Sequence, residues 1–234
     1  MKYNKIFFLF VFINTLNAQE PENSIDVKLF REINNNQSSF KTNLLNITDK
    51  TLISVSAIAP ISVIGYGLIK NNNDIANYGV EMASAQILSQ VIKTILKEVS
   101  KRNRPFRDLQ NVNLRENETE ESFSFPSGHT TSAFALATTV ALNSDKKELI
   151  IPMYLWATAV GYGRIYFGVH YPSDVLGGAI LGCTVGYAIH KYFDNNEIKI
   201  FKNEKFKSIF GVTKINIIPF IDKNYSEVKV QISF

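Results

Sequence analysis

The sequence predicts a mainly α-helical bundle of five or six core helices, followed by a short C-terminal β hairpin. Long segments carry apolar residues at three- and four-residue steps or are apolar throughout, as helices of a bundle do. Short polar turns separate these segments. Only the tail alternates apolar and polar residues, in VTKINIIPFI and EVKVQISF on either side of DKNYS, and this pattern predicts a hairpin.

Length, charge and cysteine content limit the possible classes of protein. A chain of 234 residues suits one domain with a sizeable core. The net charge is +4 and no long basic run occurs, so nucleic acid is not expected as a partner. The single cysteine, Cys183, excludes a disulfide framework or a Cys-based zinc site within one chain.

The N-terminus has the three parts of a secretory signal. Two lysines precede an apolar run from Ile6 to Ile13, and polar residues then lead to a cleavage point after Ala18. The run is too short to span a bilayer. We therefore expect a signal peptide at 1–18, a helical domain at 19–205 and a hairpin tail at 206–234, in an exported, periplasmic protein. An uncleaved signal that serves as a weak anchor is the alternative.

The first half of the helical domain has two kinds of segment. Residues 24–49 predict two short amphipathic helices separated by NNNQSS, lying over the core. Residues 52–69 carry no charge over 18 positions, which suits either a membrane span or a buried core helix. We expect the protein to be membrane-associated or membrane-inserted.

Two cations lie near the end of a long predicted helix at 75–102. Lys97 and Arg104 are seven residues apart, so on a continuing helix they would share one face before Pro105 stops it. Such a pair can hold a dianion. The alternative is that cations at a helix C-terminus only complement the helix dipole.

A second group lies at the start of the next apolar helix, in FPSGHT. Ser127, Gly128 and His129 are expected in its first turn, where unpaired N–H groups and the positive end of the dipole bind anions. Gly128 allows close backbone approach, and His129 titrates near neutrality. As an alternative, Ser127 is only a helix cap and His129 a surface residue.

A third group is contained in GRIYFGVHYPSD. An apolar helix at 149–163 leads into Arg164, and His170 and Asp174 are four residues apart, with Pro172 favouring a helix start between them. The carboxylate can then support the imidazole, while the guanidinium suits a phosphate or a carboxylate. An ordinary ion pair beside a packed histidine is the alternative.

The three groups together, K-x6-RP, PSGH and R-x5-H-x3-D, resemble the signature of the type 2 phosphatidic acid phosphatase (PAP2) superfamily. That superfamily includes nonspecific acid phosphatases and vanadium haloperoxidases. The resemblance covers residues 97–174 and implies catalysis without a metal or other cofactor. One position departs from the pattern: Gly163 stands where the family often has serine.

The resemblance also implies a role for each residue. Lys97, Arg104 and Arg164 would hold the phosphoryl oxygens, with the Ser127 hydroxyl and the Gly128 amide. His170 would attack phosphorus and form a phosphohistidine, and Asp174 would orient its ring. His129 would protonate the leaving oxygen and then activate water.

The implied substrate is a phosphate or diphosphate ester of a membrane lipid, of the phosphatidic acid, prenyl diphosphate or lipid A type. A soluble periplasmic acid phosphatase acting on small phosphomonoesters is the main alternative. A vanadium haloperoxidase is disfavoured by the short separation of the second and third groups. A non-catalytic lipid-binding protein is disfavoured because both His129 and His170 are present.

Overall fold

The predicted mainly helical class is confirmed. A computed structural model describes residues 22–116 and 121–196, together with the backbone of 214–222 and 225–233. The expected signal peptide lies outside these residues. In chain order the helices are α1 (Ile25–Asn34), α2 (Ser39–Ile69), α3 (Asn73–Ser100), α4 (Pro105–Asp108), α5 (Gly128–Leu142), α6 (Lys147–Tyr166) and α7 (Pro172–Asn195).

The N-terminal helices differ from the prediction in one respect. Helix α1 begins after the Ser24 cap, whose hydroxyl accepts the Val27 N–H at 3.2 Å, and it buries one apolar face containing Phe30. The second amphipathic segment and the apolar segment at 52–69 are not separate helices but one continuous α2. The prediction of a break was wrong because TDKT at 48–51 contains neither glycine nor proline to end a helix.

Among the described residues, helices α5 and α7 form the most extensive helix–helix contact, along one glycine-bearing face of α7. A Cβ added at Gly182 would lie 2.4 Å from the Thr131 carbonyl oxygen, and one at Gly178 would lie 2.6 Å from the Ser127 carbonyl oxygen. The backbones of α5 and α7 can approach this closely only because those side chains are absent.

The outer surface of the bundle is strongly apolar. Helices α2 and α7 are long and apolar enough to cross a bilayer, by length and composition. Large aliphatic side chains project outward from several helices, where a protein surrounded by water would be expected to carry polar groups. They include Ile53, Ile58 and Ile61 of α2, Ile87, Val91 and Ile95 of α3, Ile151 and Leu155 of α6, and Leu176 and Ile180 of α7.

At the C-terminus, the backbone segments β1 (Lys214–Asp222) and β2 (Tyr225–Ser233) run antiparallel, from the pair Lys214–Ser233 to the pair Asp222–Tyr225. Their side chains lie outside the described residues. A β hairpin folded against the helical body therefore stays a prediction.

The ends of the helices that carry the three sequence groups meet at one end of the bundle. The N–H of Ser127, which caps α5, donates to the Asp174 carbonyl in the first turn of α7 at 3.0 Å. The N–H of His170 donates to the Arg164 carbonyl, near the end of α6, at 3.3 Å. Backbone hydrogen bonds thus fix the second and third groups beside each other.

The α5–α7 contact gives a test of the fold. We expect Gly182→Ala to lower the free energy of unfolding by about 1–3 kcal/mol, because the new methyl group forces two packed helices apart. Gly65→Ala is the matched control, since its Cβ would have nothing within 4 Å. The control should be neutral or stabilise the protein by up to about 1 kcal/mol through helix propensity. Thermal unfolding in detergent measures the stability of both variants. Equal changes in stability would contradict the close packing of α5 on α7 at Gly182.

Candidate active site

His170 lies fully buried just before α7, with its ring fixed from both sides. Arg104 Nη1 is 3.1 Å from His170 Nε2. Because a guanidinium has only donors, Nε2 must be the acceptor and carry a lone pair. In the neutral ring the proton is then on Nδ1, which lies 3.3 Å from Ser124 Oγ. The nitrogen with nucleophilic character therefore points toward the cations.

Asp174 supports His170 partly through a residue that the sequence reasoning missed. Its Oδ2 is 3.6 Å from His170 Nδ1, longer than a hydrogen bond. Ser124 bridges the two, because its hydroxyl donates to Asp174 Oδ2 at 2.6 Å while facing Nδ1. Asp174 Oδ2 also accepts the Tyr171 N–H at 2.8 Å, which holds the carboxylate in place.

Arg102 was also missed, and it balances the charge of Asp174. Its Nη1 donates to Asp174 Oδ1 at 2.7 Å and its Nη2 to Asp26 Oδ2 of α1 at 2.6 Å. The guanidinium carbon lies 4.2 Å from the centroid of the Tyr171 ring. Arg102 thus joins the N-terminal helix to the carboxylate behind His170.

Lys97 and Arg104 converge, but not by the predicted route. Helix α3 ends at Ser100, and Lys101 has a φ of 45°, so the two side chains do not share a helix face. Arg104 is extended because it precedes Pro105. Instead, both cations reach the segment before the PSGH turn: Arg104 Nε donates to the Ser122 carbonyl at 2.7 Å, and Lys97 Nζ donates to the Phe123 carbonyl.

The PSGH turn occupies the predicted place at the start of α5. Ser127 is the buried N-cap, and its hydroxyl accepts that of Thr130 at 2.9 Å. Gly128 and His129 face the interior of the site, and a Cβ at Gly128 would lie 2.8 Å from Lys93 Cδ. The backbone N–H groups and dipole of this first turn favour an anion.

Five of the predicted residues line a single cavity of about 800 Å³: Lys97, Arg104, Gly128, His129 and His170. The other three, Ser127, Arg164 and Asp174, are buried behind its wall. Arg164 is turned toward α2, where its Nη1 donates to Asp49 Oδ1 at 2.8 Å. The structure therefore gathers all eight residues at one end of the bundle, with five of them on the cavity surface.

Asp49 is the third functional candidate that sequence reasoning missed. Its Oδ2 accepts from Arg115 Nη1 at 2.7 Å, and its Oδ1 lies 3.8 Å from His129 Nε2. Two guanidinium groups at hydrogen-bonding distance favour the ionised form of this carboxylate. The sequence did contain a signal for Ser124 and Arg102, because each lies within three positions of a predicted site residue, Ser127 and Arg104 respectively. None existed for Asp49.

Gly163, the departure from the family pattern, leaves no strain in the structure. An added Cβ would lie 3.6 Å from Phe167 and 3.7 Å from Leu45, both ordinary contacts. The position could therefore hold a small side chain, and its glycine is not required by packing.

Comparison with protein families identifies the fold and the chemistry. A family model described as the PAP2 superfamily matches residues 76–198, more than half of the chain. The chain belongs to the PAP2 superfamily. Several of its relatives are named as phosphatases, and the chain is a phosphoric ester hydrolase.

Individual PAP2 proteins resemble the chain over most or about half of its length. An undecaprenyl-diphosphatase of Sulfolobus acidocaldarius is 29% identical over 173 residues, which cover 72% of this chain and 78% of that one. Phosphatidylglycerophosphatase B of Bacillus subtilis is 35% identical over 125 residues, 49% of this chain and 57% of the relative.

A solved PAP2 structure has the same fold. The crystal structure of a transmembrane PAP2-type phosphatidylglycerolphosphate phosphatase from Bacillus subtilis superimposes with a TM-score of 0.63. It covers 83% of this chain and 96% of that one at 24% identity. With the outward apolar faces of α2 and α7, this fold indicates a membrane protein.

The Ser124 bridge can be tested directly. We expect Ser124→Ala to lower kcat about 10- to 100-fold with little change in KM, because loss of the hydroxyl removes hydrogen bonds worth about 1–3 kcal/mol between His170 and Asp174. Ser84→Ala in α3, where the hydroxyl donates only to the Val80 carbonyl at 2.8 Å, serves as the matched control. An unchanged kcat in Ser124→Ala would show that Asp174 acts on His170 without the bridge.

Proposed function

We propose that the chain removes phosphate from phosphorylated membrane lipids, without a metal ion, through a phosphohistidine at His170. The observation that carries this proposal is the shape of the cavity. One end is cationic and contains both histidines, and the other end is an apolar groove that follows α2 and α3. A phosphate headgroup attached to a hydrocarbon chain matches both ends.

The apolar groove has the chemistry of a lipid-chain site. Leu52, Ile53 and Ile61 of α2 form one wall, and Ile87 and Val91 of α3 form the other. Ile53, Ile61 and Ile87 are also exposed on the outer surface of the bundle. A lipid could therefore bring its headgroup to His170 while its hydrocarbon chain stays in an apolar environment. A soluble phosphomonoester has no hydrocarbon chain and would not require the apolar groove.

In the first chemical step, the His170 Nε2 lone pair attacks phosphorus, and the bond between phosphorus and the leaving oxygen breaks. Arg104 must shift from Nε2 to a phosphoryl oxygen as the substrate enters. Lys97 and the Gly128 N–H, both on the cavity surface, stabilise the other oxygens, and the positive charge of Arg164 and the Ser127 hydroxyl add to this from behind the wall. His129 gives its proton to the leaving oxygen.

In the second step, His129, now neutral, takes a proton from water. The water oxygen bonds to phosphorus as the bond from phosphorus to His170 Nε2 breaks, and phosphate leaves. The Ser124 and Asp174 pair stabilises the positive charge on the phosphorylated imidazole in between. The cations and amide groups supply the charge stabilisation that a metal ion supplies in other phosphatases.

The proposed substrates are phosphate or diphosphate esters of the phosphatidic acid, prenyl diphosphate or lipid A type. The undecaprenyl-diphosphatase and the phosphatidylglycerophosphatase B that resemble the chain support a lipid substrate. The outward apolar faces favour this class over a soluble acid phosphatase. We further propose export with removal of residues 1–18, a catalytic domain at 19–205 and a hairpin tail at 206–234.

The groove can be blocked without touching the cationic end. We expect Ile87→Trp to raise KM for long-chain phosphatidic acid about tenfold or more while leaving a short-chain analogue nearly unaffected, because the indole narrows the groove. Ile95→Trp is the matched control, since Ile95 is exposed on the same helix but lies outside the cavity lining. Hydrolysis is measured in detergent with EDTA present.

Two results would contradict the proposal. Loss of all activity in EDTA that returns with a divalent metal would exclude metal-independent chemistry. Equal KM values for long- and short-chain substrates in the unmodified protein, with no effect of Ile87→Trp, would place the hydrocarbon chain elsewhere and favour a small soluble ester.

A further inference from the structure

Asp49 lies where α2 passes the site, just before the charge-free stretch at 52–69. Its side chain is 10% exposed, and three cationic or ionisable groups from different parts of the chain approach it. Arg164 Nη1 of α6 is 2.8 Å from Oδ1, Arg115 Nη1 is 2.7 Å from Oδ2, and His129 Nε2 of α5 is 3.8 Å from Oδ1. Its position lies outside residues 76–198, which carry the family match.

We propose that Asp49 is a positioning residue of the phosphatase site: it holds Arg164 in place and keeps the His129 imidazole protonated for transfer to the leaving oxygen. This inference rests on the proposed function and goes beyond it, because it adds an N-terminal carboxylate to the machinery.

The effect on Arg164 follows from burial. The Arg164 side chain is 1% exposed, and a guanidinium removed from water needs an anionic partner or strong hydrogen-bond acceptors to remain there. Asp49 Oδ1 provides such a partner from one side and so fixes the orientation of the Arg164 guanidinium group. A cation fixed before the substrate arrives stabilises a phosphoryl-transfer transition state without reorganisation.

The effect on His129 follows from the charges around it. Among the described residues that line the cavity, those with titratable or charged side chains are Lys93, Lys97, Arg104, His129 and His170, and none is a carboxylate. The cations among them, Lys93 and Lys97 of α3 and Arg104 of the segment after it, disfavour a further positive charge on His129. Arg164 of α6 and Arg115 of the loop between α4 and α5 also pair with the Asp49 carboxylate. Their positive charges weaken the attraction of this carboxylate for a proton on His129.

Asp49 is the group that counteracts this repulsion. A carboxylate 3.8 Å from Nε2 favours the imidazolium form, which is the form that a general acid needs before the first step. Arg115 closes the outer side of Asp49 and stacks on Phe167, with its guanidinium carbon 4.8 Å from the ring centroid. The carboxylate is thereby held toward Arg164 and His129 rather than toward solvent.

The test compares Asp49→Asn and Asp49→Glu with Asp145→Asn in the full-length protein. Asp145 is an exposed carboxylate in the turn between α5 and α6, at the opposite end of the bundle from the site. Values of kcat and KM for phosphatidic acid are measured in detergent across pH, with thermal unfolding as the check of folding. His170→Ala is assayed in parallel.

For Asp49→Asn we expect a loss in kcat of about 10- to 100-fold, a raised KM and a shift of the alkaline limb of the kcat profile to lower pH by about one unit. The direction follows because His129 without the carboxylate loses its proton at lower pH. Asp49→Glu should retain part of the activity, and the alkaline limb of its kcat profile should lie close to that of the unmodified protein. Asp145→Asn should match the unmodified protein.

An alkaline limb that does not move in Asp49→Asn overturns the inference, whether or not activity or stability falls, since a purely structural role would leave it in place. If Asp49→Asn does not fold, Asp49→Ser, which also removes the carboxylate, decides by the same criterion, and failure of both to fold also assigns a structural role and overturns it. Full activity in His170→Ala would instead overturn the proposed function itself, so the two failures are distinguishable.

Discussion

The site depends on balancing several buried cations with carboxylates brought from distant parts of the chain. Arg102, Arg104 and Arg164 are each 1–2% exposed, and positive charges this close would repel each other in an interior with little water. Asp174 and Asp26 neutralise Arg102, and Asp49 neutralises Arg164. Arg104 donates to the backbone carbonyls of Ser122 and Val169, which direct it toward His170. The result is a cationic pocket in which each buried guanidinium group has anionic or carbonyl partners.

Helix packing determines where these charges meet. The glycine face of α7 lets α5 approach closely, and the Ser127 N–H then bonds to the Asp174 carbonyl. This contact brings the N-terminal turn of α5, with its partial positive charge, beside the first turn of α7, which holds Asp174. The same bundle exposes the apolar faces of α2 and α3, so the cationic end opens into a groove suited to hydrocarbon. In the proposed function, lipid specificity and phosphate chemistry come from opposite ends of one cavity.

Sequence patterns predicted what depends on local structure. The helical class, the PSGH turn at a helix start and the helix start at Pro172 follow from periodicity and caps, and the gathering of the three groups follows from the resemblance to the PAP2 superfamily. The continuity of α2 was missed because the absence of a breaker at 48–51 is a weak signal beside a change from amphipathic to apolar composition. The end of α3 at Ser100 was missed because the Arg102 side chain turns inward to partners that only the tertiary fold supplies.

The sequence did not predict long-range partners, because only the tertiary fold brings such residues together. Asp49 and Arg164 are 115 positions apart, and Asp26 and Arg102 are 76 apart. No periodicity links such residues, and each acidic residue looks like part of a solvated helix face. Ser124 differs, since it precedes the PSGH turn by two residues; its role was hidden because the predicted His170 and Asp174 pair already appeared complete.

The proposed mechanism requires a phosphoryl group on His170, and the intermediate can be trapped. His129→Ala, which lacks the group proposed to activate water, is incubated with a prenyl diphosphate labelled at its terminal phosphate, because the leaving phosphate depends less on protonation by His129. The reaction is quenched in base and the protein is digested for mass spectrometry. We expect a phosphoryl group on the peptide that contains His170, and none in the His129→Ala, His170→Ala double variant. Turnover with no labelled protein, or label on a different residue, would contradict it.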